Sequence, residues 1–203
     1  VKLYYSRNLN PRVAVAVAKH LRSPVEYICA SPRNPAEEEA FRPINPNTLV
    51  PVLVDGARHI WETDAIACRL AELAQSDFWP AGEALSELIM WLSWSAQHFT
   101  QAGGVFYFEN IIRPKYLGQA PDQNALANAA GDFHRFAKVL DDTLASRIWL
   151  IDSRLTYADF RVASALPFAE PAALPLENYH HIRRWHDQLN LVDAWKNPFD
   201  GLL

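Results

Sequence analysis

Asn45-Pro46-Asn47-Thr48-Leu49-Val50-Pro51-Val52-Leu53-Val54-Asp55-Gly56 runs from a polar, proline-broken loop into a short apolar strand and stops at an Asp-Gly pair. Val52-Leu53-Val54 and His59-Ile60-Trp61 flank that pair, and Asp-Gly between two such runs is a strong hairpin signal. Glu62-Thr63 follows directly. Ile66, Leu70 and Leu73 then recur at helical spacing, which predicts a helix from Thr63 to about Ala74. A hairpin that feeds a helix in this way is the closing half of a small α/β unit.

Toward the N-terminus the pattern supplies the opening half. Lys2–Ser6 reads as a strand. A helix opens around Asn10-Pro11-Arg12, where an early proline loses no helical bond, and Val13, Val17 and Leu21 line one face. Ser23-Pro24 breaks it, Val25–Cys29 is a second strand, and Pro35–Arg42 is a short helix with acidic residues toward its start. The order is βαβαββα. Beyond it, Ser76-Asp77-Phe78-Trp79-Pro80 reads as a linker and the rest as helices only. Leu85, Leu88, Ile89 and Leu92 make one apolar face, and Phe133, Phe136, Leu140 and Leu144 another. A third helix begins near Thr156, and Ile182, Trp185 and Leu189 mark a fourth. The expected division is an α/β domain over 1–75, a linker over 76–82 and an all-α domain over 83–203.

Composition narrows the function classes. With 203 residues, 50% hydrophobic and 21% charged, the chain has an ordinary globular balance. The net charge of −4 offers no basic stripe for nucleic acid. No run of 18 apolar residues predicts a membrane span, and Val1–Tyr5 enters a strand without a signal-peptide pattern. Cys29 and Cys68 are the only cysteines and form no Cys-x-x-Cys pair, so thiol–disulfide exchange is disfavoured and two buried, reduced thiols in a cytoplasmic setting are expected. His180, His181 and His186 suggest a metal at first sight. Positions four residues on from the first two hold Arg184 and Trp185, so no facing pair forms and no metal is expected.

Three stretches together resemble the glutathione transferase superfamily over nearly the whole chain. The first is the opening run, close to the family's N-P-x-x-x-V-P-x-L-x-D-G. The second is Trp61-Glu62-Thr63-Asp64-Ala65-Ile66, similar to E-S-x-A-I with Thr for the usual Ser. The third is Leu155-Thr156-Tyr157-Ala158-Asp159-Phe160, similar to T-x-A-D-F. The resemblance implies a thioredoxin-like glutathione-binding domain followed by a helical domain that lines the electrophile site. The chain departs from the pattern at Thr63 and again at Asp152, where the family keeps Gly.

The resemblance further implies a set of site residues. Val50-Pro51 would be cis, turning the Val50 backbone toward the cysteinyl backbone of glutathione as an added strand would; an X-Pro bond taken alone would be read as trans. Thr63, as helix cap, would hold the γ-glutamyl carboxylate at the helix N-terminus, with Glu62 facing the ligand's ammonium. Arg33 is the candidate for the glycyl carboxylate, with a solvated loop arginine as the competing reading. The thiol-activating residue is expected just after the first strand. Alignment on Pro11 selects Asn10, a neutral N–H donor, with Tyr5 and Ser6 as alternatives. Trp94, His98 and Tyr107 are candidates for the electrophile pocket, although aromatic residues at helical spacing also read as core. Thr156 and Asp159 form a Thr-x-x-Asp capping box, read as structural.

The expected function is conjugation, or another reaction, of the glutathione thiolate with small hydrophobic electrophiles. Glutathione is the co-substrate, a homodimer is implied, and neither membrane nor nucleic acid is expected as partner. The alternative is a non-catalytic protein of the same fold that binds glutathione or an apolar ligand, favoured by the lack of Ser, Cys or Tyr at the aligned position.

Overall fold

The computed structural model describes residues 1–151 and 153–202; Asp152 therefore lies outside the described residues. The chain forms two compact units, Val1–Trp79 together with the stretch from Val192, and Pro80–Leu191.

The first unit follows the order β1 (Lys2–Tyr5), α1 (Leu9–His20), β2 (Glu26–Cys29), α2 (Pro35–Phe41), β3 (Val52–Asp55), β4 (Arg58–Trp61) and α3 (Thr63–Leu73). This is the expected βαβαββα, with ends shifted by a residue or two. The strands lie side by side as β2-β1-β3-β4. β1 runs parallel to β2 and antiparallel to β3, with Tyr5 opposite Cys29 and Tyr4 opposite Val52. Asp55 pairs with Arg58 across a two-residue turn. Gly56 begins that turn with φ +60°, which glycine adopts without a Cβ clash. Arg69 on α3 donates to Asp55 at 2.9 and 2.7 Å, tying the hairpin to the helix that follows it. Leu3, Val13, Val17, Val52, Leu53, Ile66 and Leu70 form the fully buried core where α1 and α3 pack on the sheet.

The second unit contains only helices among its described residues. α4 (Ala84–Trp94) passes through a wide π-type turn, Ser95–Phe99, into α5 (Thr100–Tyr107), and a second π-type stretch, Phe108–Leu117, continues it. α6 (Gln123–Leu144), α7 (Tyr157–Val162) and α8 (His180–Leu189) complete the unit. The expected α4 face needs correction. Leu88 and Leu92 are buried with Trp91, but Leu85 and Ile89 are 36% and 52% exposed. Trp91 takes the core position because i, i+3, i+4 from Leu88 is the inward stripe.

The Thr156–Asp159 capping box is present. Asp159 also accepts from Leu150 N–H (2.9 Å) and Trp185 Nε1–H (3.0 Å). Complete burial pushes its carboxyl up to about 6. It is a structural hub that joins α7, α8 and the loop before α7. Asp141 of α6 caps α8 by accepting from the N–H groups of His181 and Ile182 at 2.8 and 2.9 Å.

α9 (Asp193–Lys196) follows. The sequence reading carries the helical domain through to residue 203. In the structure the stretch from Val192 packs with the first unit, where Trp195 is fully buried beside α1.

Candidate functional site

Strand register collects the predicted glutathione residues at one end of the first unit's sheet. β1 ends at Tyr5 opposite the position just before Val52, so the loop 6–8 and the Val50-Pro51 pair leave the sheet at the same end. β4 ends at Trp61 opposite Val52, which brings Glu62-Thr63 to that end as well. β2 ends there too, at Cys29 beside Tyr5, and Arg33 follows it as an exposed residue before α2. Residues distant in sequence thus share one rim because the four strands end on it.

The Val50-Pro51 bond is cis, Pro51 is buried and Val50 is half-buried. The loop before it is folded by Asn45, which is 2% exposed. Its Nδ2 donates to Leu49 O at 2.8 Å, and its Oδ1 accepts from Asn47 N–H at 3.0 Å. Sequence reading took Asn45 only as part of a motif; its role as the loop's internal brace is visible in these bonds.

Glu62, not Thr63, is the cap residue of α3. It is exposed and takes φ 72°, ψ 128°, where a Cβ is poorly accommodated. Thr63 is the first helical residue, and its buried hydroxyl donates to the Asn10 carbonyl at 3.3 Å. The capping role assigned to Thr63 is therefore corrected by one position. The first intrahelical bond runs from Ile66 N–H to Glu62 O (3.0 Å), and the turn before it forms the anion-attracting end of the helix.

Asn10 is exposed, in the first turn of α1. The helix starts earlier than expected, at Leu9, with Asn8 in extended conformation as its cap. Pro11 still costs no bond, because first-turn N–H groups have no carbonyl to meet. Ser6 is half-buried and accepts from Asn8 Nδ2 at 3.3 Å. Tyr5 is 1% exposed, stacked on Phe199 and edge-on to Tyr27, and burial raises its phenol pKa.

Of the three electrophile-pocket candidates in the second unit, two come together. Trp94 meets His98 at 6.3 Å, and both pack on Phe136, His98 stacking at 4.4 Å. Both remain half-buried. Tyr107 is 7% exposed and packs edge-on against Phe168 at 4.8 Å. Burial first, and the neighbouring Tyr116 second, push its phenol up to about 12. Among the described residues no group of three or more His, Cys, Asp or Glu side chains could hold a metal. No helix among them is long and apolar enough to cross a membrane.

A thioredoxin-like unit with a cis-proline rim, joined in sequence to a helical unit, defines a class of glutathione-binding folds. The sequence pattern described as glutathione S-transferase, N-terminal domain, matches residues 11–73, and that of the glutathione S-transferase C-terminal domain matches residues 96–191. Glutathione S-transferase 3 of Zea mays is 29% identical over 167 residues, covering 77% of this chain and 72% of its own. Elongation factor 1-gamma of Schizosaccharomyces pombe is 30% identical over 195 residues; the match covers 91% of this chain and 46% of that longer protein. The structure of a glutathione S-transferase-I bound with lactoylglutathione superposes with a TM-score of 0.88 at 22% identity, covering 97% of each chain. The chain belongs to the glutathione transferase superfamily and is a transferase of that glutathione-dependent kind.

Proposed function

We propose that the chain conjugates glutathione to small apolar electrophiles, with the tripeptide held along the rim of the first unit's sheet. Val50 pairs with the cysteinyl backbone, Thr63 and the α3 N-terminus take the γ-glutamyl carboxylate, Glu62 faces the ammonium and Arg33 faces the glycyl carboxylate. Asn10 donates its side-chain N–H to the sulfur. The thiol loses its proton to solvent, and the thiolate then forms a sulfur–carbon bond with the electrophile, displacing its leaving group or adding to its double bond. Trp94, His98 and Tyr107 are our candidates for the electrophile's apolar surroundings.

One observation carries this reading: the Thr63 hydroxyl bonded to the Asn10 carbonyl. It brings the expected carboxylate site beside the expected thiol site, and the hydroxyl's one proton would turn from the Asn10 carbonyl to the carboxylate when glutathione binds. The exposure of Asn10 and the enclosure of Tyr5 favour Asn10 as the sulfur's partner. We further infer a two-fold homodimer, supported by the exposed apolar side chains of α4, and a cytoplasmic setting, supported by two cysteines outside any disulfide; neither is buried as expected, since Cys29 is exposed at the end of β2 and Cys68 is half-buried. Cell fractionation that finds the chain outside the cytoplasm would refute the second inference.

The function is tested by assaying glutathione turnover against a panel of alkylating and Michaelis-acceptor electrophiles. In parallel, the ultraviolet absorbance of the bound thiolate is followed against pH in wild type and Asn10→Ala. A free thiol ionises near ~8.5, and each unit of lowering needs about 1.4 kcal/mol of extra thiolate stabilisation. Wild type should bring the bound thiol below that value, and Asn10→Ala should raise it again while glutathione stays bound. Turnover lost in Tyr5→Phe or Ser6→Ala, with Asn10→Ala unaffected, would move the role to those residues. Binding without turnover on any electrophile would make the chain a binder.

A further inference from the structure

Eight consecutive residues of α1, Pro11–Ala18, are buried. A helix with no polar face is covered on every side, and part of that cover is α9, which packs on α1. The stretch from Val192 does more than cover. It holds the chain on both sides of Asn10.

Four residues, Tyr5, Arg7, Arg12 and Lys19, are held by this stretch. Phe199 stacks on Tyr5, the last residue of β1, with ring centroids 5.9 Å apart and planes inclined by 20°. The Arg7 guanidinium lies 5.4 Å from the centre of the same Phe199 ring, and its Nη2 donates to Leu202 O at 3.2 Å. Arg12, 5% exposed, lies over the Trp195 ring at 4.6 Å and donates to Trp195 O. Lys19, near the other end of α1, donates to Asp200 O. Residues before, within and after the loop between β1 and α1 are thus gripped by one short stretch of chain.

We propose that residues 192–202 are a strap that positions the thiol loop, residues 6–10, with Phe199 as its key positioning residue. This rests on the reading that Asn10 faces the glutathione sulfur. Phe199 acts through Tyr5 and Arg7, on which its ring packs. The glutathione main-chain contacts come from other elements, namely Val50 before β3 and Glu62-Thr63 at α3. Loosening the strap should therefore spare affinity and impair thiolate formation. Small displacements of a catalytic group reduce rate far more than they reduce binding.

The test compares wild type, Phe199→Ala and Phe199→Tyr, the last keeping the stacking ring. Amide hydrogen exchange is measured first, without glutathione. Exchange at residues 6–10 should rise by roughly tenfold in Phe199→Ala, return in Phe199→Tyr, and stay unchanged across β3 and β4. Glutathione is then added. Affinity should stay within about twofold, while the bound-thiol pKa rises by about half a unit or more and kcat falls with KM for glutathione unchanged. Unchanged exchange at 6–10, or faster exchange throughout the sheet, overturns the strap. Faster local exchange with unaltered thiol pKa and kcat overturns its role in the chemistry. If wild type binds no glutathione, the functional reading falls, and the exchange measurement still decides whether the strap orders the loop.

Discussion

Glu62 occupies a backbone conformation, φ 72° and ψ 128°, that costs a non-glycine residue about 1–3 kcal/mol. The cost is met by its surroundings: β4 ends immediately before it and α3 starts immediately after it. The Glu-Thr pair was legible from sequence as the start of a helix, but its division of labour was not. Which of two adjacent residues caps a helix depends on one backbone angle, and residue type alone leaves both open. Asn10 shows the same limit, since Asn8 and Asn10 are equally good caps by type. His20, in the last turn of α1, gives a pH prediction. Its ring packs on Phe78 at 4.6 Å, and burial lowers its pKa. The folded state thus binds this proton less readily than the unfolded chain, whose histidine titrates near about 6.5. Its contribution is present above that pH and is lost as pH falls through the lower folded value. Thermal unfolding from pH 7 to pH 5 should lose more stability in wild type than in His20→Leu. Equal losses would show that His20 does not couple to folding.

Among the elements, the hairpin and the helix after it were the most legible. Asp-Gly, strand alternation and helical spacing are local signals, and all three agreed. The stretch from α4 through α5 was less so. The π-type segment Ser95–Phe99 between them widens the helical turn and rotates the faces that follow it. Trp94 and His98 keep a common face before the full rotation, whereas Tyr107 comes out against Phe168. Two adjacent glycines in α5 respond to this packing in opposite ways. A Cβ on Gly103 would stand 3.1 Å from the Ala165 Cβ, and one on Gly104 would meet nothing within 4 Å. Gly103→Ala should destabilise the fold by about 1–3 kcal/mol through overpacking. Gly104→Ala should stabilise it by up to about 1 kcal/mol through helix propensity. Denaturant unfolding of the two variants checks the pair, and the same sign for both would refute this packing of α5.

At the scale of the whole molecule, the two-unit division was readable from the change of pattern near residue 76. The return of the stretch from Val192 to the first unit was not, because nothing in Asp193-Ala194-Trp195-Lys196 says what it packs against. The all-apolar run Val13–Ala18 was the available clue, since an α1 without a polar face needs a second cover. The converse signal appears on α4, where Ile89 and Met90 are each 52% exposed. Exposed apolar side chains clustered on one helix suit a self-complementary two-fold contact. Light scattering should give twice the 23.0 kDa chain mass for wild type and a monomer for the Ile89→Lys, Met90→Lys double variant. A monomeric wild type at micromolar concentration would contradict the dimer.

Calorimetric titration of glutathione into wild type, Thr63→Ser and Thr63→Val tests the rim site most directly. Wild type should bind one tripeptide per chain, and Thr63→Ser, which keeps the hydroxyl, should bind comparably. In the structure the single hydroxyl proton of Thr63 points to the Asn10 carbonyl, and on glutathione binding it turns to the carboxylate. Thr63→Val, similar in shape without the hydroxyl, should therefore bind more weakly by about 1–3 kcal/mol, the loss of a hydrogen bond to a charged group. A wild type that takes up no glutathione, or a folded Thr63→Val with undiminished affinity, would contradict a γ-glutamyl carboxylate held at the start of α3.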